Sequence, residues 1–134
     1  MLIGSLATII VGGIITGGVL LLNRDSEPET FTVAGSMSLT KGSGWDSIST
    51  GCVGDGGYDD IRSGAAIKIS DESGTVLATG RLEGGQIDSG MCTFPFMVDG
   101  VPAGEAFYEI EVSHRGGLTY DEAEMREPLV FTLG

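Results

Sequence analysis

Ala65–Leu82 reads AAIKISDESGTVLATGRL. Two short runs rich in apolar and β-branched residues, Ala65–Ser70 and Thr75–Leu82, flank Asp71-Glu72-Ser73-Gly74. That tetrapeptide has the chemistry of a tight turn, with glycine supplying a positive φ. The segment predicts a β-hairpin, and the sequence on either side of it keeps the same character. Upstream, Phe31–Thr40 (FTVAGSMSLT) alternates Phe31, Val33, Gly35, Met37 and Leu39 with mostly small polar residues, the period of a half-buried strand. Between the two lies a long glycine-rich connection, Lys41–Gly64, carrying Trp45, Cys52, Tyr58 and the acidic residues Asp55, Asp59 and Asp60.

Downstream, EGGQIDSG reads as another turn. Met91–Val98 (MCTFPFMV) reads as a strand whose Pro95 places it at an edge or a bulge. Asp99–Glu105 is a loop, and Ala106–His114 (AFYEIEVSH) alternates so that Tyr108, Ile110 and Val112 face a core. After a turn at Arg115–Gly117, Leu118–Met125 is a short strand or a single helical turn, and Leu129–Leu133 (LVFTL) closes the sheet. Roughly seven short strands, with turns about every 10 residues and no long amphipathic helix among them, predict an antiparallel β-sandwich over 31–134.

The N-terminus differs in kind. Leu2–Leu22, LIGSLATIIVGGIITGGVLLL, carries no charge and no proline. As a helix it would be roughly 31 Å long, the thickness of a bilayer's hydrocarbon. It reads as an uncleaved membrane anchor, because no basic residue precedes it and no A-x-A-like site follows. Asn23–Thr30 (NRDSEPET) reads as a polar linker in which Pro28 stops a helix from continuing. The expected fold is therefore an N-terminal single transmembrane α-helix (1–22), a linker (23–30) and an all-β antiparallel sandwich (31–134). Gly4, Thr8, Gly12 and Thr16 recur every fourth residue, with Gly13 and Gly17 as a GxxxG beside them. Such a strip lets another backbone approach closely, so the span is expected to pack on other membrane-protein subunits or on its own copy.

The formal net charge is -12, and every charged side chain lies C-terminal to Leu22. An acidic domain repels nucleic acid, which is excluded as a partner. Cys52 and Cys92 are the only cysteines. An even pair outside any CxxC motif points to a disulfide, hence to the oxidising side of a membrane. Arg24, just after the span, votes weakly for the opposite orientation. The cysteines outweigh it, giving a single-pass plasma-membrane protein with an extracytoplasmic C-terminal domain.

From GCVGDGGYDDIRSGAAIKISDESGTVLATGRL through CTFPFMVDGVPAGEAFYEIEVSHRG, the chain resembles a small extracytoplasmic β-domain of secreted and membrane-anchored actinobacterial proteins. The resemblance covers about Phe31 to Tyr120. Its hairpin, later VP turn at Val101-Pro102 and Tyr-containing strand are also similar to the prealbumin-like modules grouped as carboxypeptidase-regulatory-like domains. It implies a fold and a location, and it carries no active site with it.

The residues themselves supply no catalytic set. His114, the single histidine, neighbours Ser113 on an alternating strand, where adjacent side chains point to opposite faces. Asp59 and Asp60 have nothing beside them to raise one carboxyl for acid–base work. Asp55, Asp59 and Asp60 in GDGGYDD offer hard oxygen ligands and form a weak calcium candidate, without EF-hand spacing. GCVGDGG lacks the residues that would make it a phosphate loop. No cofactor is expected. Trp45 and Tyr58 are either the long loop's own small core or an aromatic patch for a partner. The expected function is a non-enzymatic accessory or stabilising module of a larger membrane protein complex. The alternative is an anchored surface recognition domain for an extracellular ligand, of the cell-wall sensor or phage-exclusion type.

Overall fold

The computed structural model describes residues 28–42 and 44–134. Ten strands and one α-helical turn follow one another as β1 (Thr30–Leu39), β2 (Trp45–Ile48), β3 (Gly51–Gly54), β4 (Ala66–Asp71), β5 (Val76–Arg81), β6 (Gln86–Asp88), β7 (Met91–Pro102), β8 (Tyr108–Val112), β9 (Gly117–Tyr120), α1 (Glu122–Met125) and β10 (Leu129–Leu133), with a 3-10 turn at Gly56–Tyr58. Two four-stranded sheets, ordered β9-β8-β4-β5 and β10-β1-β7-β6, face each other, with β2 and β3 forming a separate ribbon.

Period-two alternation builds the core. Val33, Met37 and Leu39 of β1, Phe94, Phe96 and Val98 of β7, Ile67 and Ile69 of β4, and Tyr108, Ile110 and Val112 of β8 are all buried. Their alternate neighbours point outward. Phe96 stacks on Phe131 at 6.1 Å, and Tyr108 meets Phe31 edge-on at 5.8 Å. The buried Tyr108 hydroxyl donates to the Pro102 carbonyl at 2.7 Å. The β4–β5 turn forms as expected, because the Asp71 carboxylate accepts from the amides of Ser73 and Thr75, each at 2.9 Å. Gly35 faces the Phe96 ring so closely that a β-carbon there would stand 2.8 Å from it.

Several expectations are corrected. The described residues do not form the expected transmembrane helix followed by an all-antiparallel sandwich. Among the described residues no helix is long and apolar enough to cross a membrane, and the α-helix that they contain, α1, has four residues. The expected span at Leu2–Leu22, with its packing residues Gly4, Thr8, Gly12, Gly13, Thr16 and Gly17, lies outside the described residues. Nor is the sandwich purely antiparallel, for β10 runs parallel to β1, Leu129 opposite Gly35 through Leu133 opposite Leu39. The crossover through β9 and α1 returns the chain to the same end of the sheet and so reverses the expected direction.

The glycine-rich stretch 41–64 is not one loop, since it contains the β2–β3 ribbon. Strand β8 ends at Val112, so His114 and Arg115 belong to the turn before β9. Pro95 sits in a strand flanked on both sides, yet no ladder bond is lost. Its carbonyl accepts from the Glu83 amide at 2.8 Å. Carbonyl and amide of one residue point to the same side of an antiparallel strand, so the missing N–H faces the crossing segment and leaves the β1 ladder intact.

Candidate interaction face

The two outer faces of the sandwich differ in charge. On the β9-β8-β4-β5 sheet, Lys68 pairs with Glu111 at 3.4 Å, with Glu109 and Arg81 on the same face. On the β10-β1-β7-β6 sheet the outward positions are Ala34, Ser36 and Ser38 of β1, Thr93, Pro95 and Met97 of β7, and Val130 and Thr132 of β10. None is ionisable, in a chain of net charge -12. Charge returns only at the borders, at Asp99, which accepts from the Thr32 hydroxyl at 3.0 Å, and at Asp88 on β6.

This face has relief. The small residues of β1 form a trough, flanked by Met97, 58% exposed, on one side and Val130, 72% exposed, on the other. Ser38 lies at the bottom and is satisfied by the Thr93 hydroxyl at 2.8 Å.

The sandwich is also closed on one side and open on the other. Beyond β5 the chain crosses to the second sheet, bridging Leu82 to Phe96. The β2–β3 ribbon is tied to this side by a Cys52–Gly85 bridge just before β6 and by the Cys52–Cys92 disulfide to β7, both of whose cysteines are buried. Gly85 permits this approach, since a β-carbon there would lie 2.6 Å from the Phe94 ring and 2.9 Å from the Cys92 sulfur. On the open side, β9 and β10, which among the described residues pair with one strand each, border a groove of about 390 Å³ lined by Met37, Ile110, Val112, Leu118, Val130 and Phe131 among others.

Trp45 and Tyr58 are half-buried and pack against the core. The Arg115 guanidinium lies 5.1 Å over the Tyr58 ring, with one nitrogen donating to the Gly57 carbonyl at 2.6 Å and another to Asp60 at 3.0 Å. Arg115 holds the Asp60 carboxyl below the usual carboxylate range, and Asp60 raises Arg115 in return. Of the calcium candidates, Asp60 is thus committed to Arg115. Asp55 instead faces Asp46, whose carboxyl it raises by like-charge repulsion and a shared hydrogen bond. Among the described residues no group of three or more His, Cys, Asp or Glu side chains converges as a metal ion requires. His114 is exposed in its turn.

Sequence reasoning missed both the clamp and the neutral face. The face was signalled by the outward positions of Phe31–Thr40 and Met91–Val98, where no charge falls within an acidic chain. Arg115 carried no such signal, because its partner is 55 residues away. No protein-family model, curated protein or solved structure matches the chain.

Proposed function

We propose that this chain is a non-enzymatic interaction module that works outside the cytoplasm, as an accessory or stabilising part of a larger protein assembly. The neutral outer face of the β10-β1-β7-β6 sheet supports this reading above all. Its partner is a protein surface, uncharged at its centre, because an acidic molecule meets a neighbour most favourably where neither side must strip water from an unpaired carboxylate. A buried disulfide persists in an oxidising compartment, which supports the location.

Met97→Glu and Lys68→Glu test the reading on native assemblies released from the producing cell and separated by size. Met97→Glu is expected to run as the free chain, while Lys68→Glu stays in the assembly. Retention of both would overturn the reading.

A further inference from the structure

We propose that β10 is a self-association edge, pairing antiparallel with β10 of a second copy of this chain so that two four-stranded sheets become one of eight. This goes beyond the neutral face and holds whichever protein that face meets. An edge strand presents unpaired amides and carbonyls, and proteins ordinarily blunt such edges with charge, proline, bulges or a covering element.

Three of the four edges here are short or handled. Strand β6 has three residues, one of them Asp88, and the ribbon bridges the chain at Gly85, just before it. Strand β5 has six residues but carries Arg81, and at Gly80 it closes on β7, where a β-carbon would stand 2.8 Å from the Val98 side chain, before the crossing at Leu82–Phe96. Strand β9 has four residues. Strand β10 has five, Leu129-Val130-Phe131-Thr132-Leu133, with no charge and no proline, and its pairing with β1 runs without a register shift. Among the described residues nothing pairs with its other side.

Two observations select a second copy over an unrelated strand. The first is the symmetry of the strand itself. Antiparallel pairing about a two-fold axis at Phe131 sets Leu129 opposite the partner's Leu133, Val130 opposite the partner's Thr132, and Phe131 opposite its own copy. Like shapes meet at each position, and β-branched residues meet on the outward side, which favours the pair. An isologous contact needs this self-complementarity.

The second is charge. Two chains of net charge -12 repel wherever carboxylates face each other. No carboxylate lies on β10 or at the outward positions of β1 and β7 beside it. Paired in this way, the inward row of Leu129 and Phe131 continues from one core into the next. The two grooves meet at the seam, and the two neutral faces become one surface of twice the width.

The test is sedimentation equilibrium of the full chain in non-ionic detergent, with Val130→Lys beside the wild type. Val130 is 72% exposed, so the lysine leaves the fold standing, and unchanged near-UV circular dichroism checks this. The wild type is expected at twice the chain mass and Val130→Lys at the chain mass. Register is read by mixing Val130→Cys chains with Thr132→Cys chains under mild oxidation. Residues directly opposite lie about 5 Å apart, so the mixture is expected to cross-link at least ten times faster than Val130→Cys alone. A wild type at the single-chain mass, a Val130→Lys variant still at twice that mass, or equal cross-linking in mixed and unmixed samples would each overturn the proposal. A wild type that stays single while a heterologous strand-forming peptide protects the β10 amides from hydrogen exchange would assign the edge to another protein, and equally overturn it.

Discussion

Arg115 grips Asp60 across 55 residues of sequence, with its guanidinium also lying on Tyr58 and donating to the Gly57 carbonyl. One side chain thereby ties the turn after β8 to the glycine-rich segment after β3. It adds to what already holds that segment, the buried Ile61, Tyr58 packed on the core, and the Gly54 amide donating to the Ile61 carbonyl at 2.9 Å.

Asp60→Asn is expected to lower unfolding stability by about 1 kcal/mol at neutral pH, the scale of a well-formed but partly exposed ion pair. The folded pKa of Asp60 is depressed below its ordinary value of 3.8. Its contribution is therefore fully present above that value and disappears as pH falls through the folded pKa. Urea denaturation of both proteins at several pH values checks this. The gap between wild type and Asp60→Asn is expected to be constant from pH 7 to about 5 and to close in strong acid.

Cys52 and Cys92 are separated by 40 residues and both are buried. Closing a loop of that length contributes on the order of 4 kcal/mol in the chain-entropy model. The double variant Cys52→Ala/Cys92→Ala is expected to lose roughly that much, plus freedom of the β2–β3 ribbon. Denaturant midpoints with and without reductant measure it, and reductant is expected to leave the double variant unchanged.

The Tyr108 hydroxyl donates to the Pro102 carbonyl and accepts from the Glu105 amide, closing the loop between β7 and β8. Tyr108→Phe keeps the ring against Phe31 and removes both bonds. The expected loss is about 1–2 kcal/mol, since two backbone groups lose a partner at a partly buried site. Thermal unfolding of the variant checks it.

These three contacts show where the sequence was legible. The core was, because alternation at Phe31–Leu39 and Tyr108–Val112 reports burial directly, and so was the disulfide, because an even pair of cysteines leaves one pairing. The Asp71–Thr75 turn was legible for the same reason, its chemistry being local. What escaped depends on contacts distant in sequence. The parallel placement of β10 follows from which strand it meets, and LVFTL carries no mark of direction. Pro95 points to an edge in isolation and is accommodated by Glu83, twelve residues earlier, through a crossing that no local pattern encodes. The neutral face was written in the alternation but is visible only when β1, β7 and β10 lie side by side.

On that face, Met97→Ser is expected to change stability by less than about 0.5 kcal/mol, because Met97 is 58% exposed and outside the core. Its effect should fall on binding alone. Denaturant unfolding separates the two, and a large loss of stability would mean that Met97 supports the fold.

The most direct measurement is site-specific photo-cross-linking in the producing cell, with a photoreactive side chain placed in turn at Met97, Ala34, Lys68 and Thr79. The first two lie on the neutral face and the last two on the charged one. Cross-links to one defined protein from Met97 and Ala34, with none from Lys68 or Thr79, are expected for an interaction module that docks through its neutral sheet. Cross-links confined to the charged face, or the same products from all four positions, would contradict it.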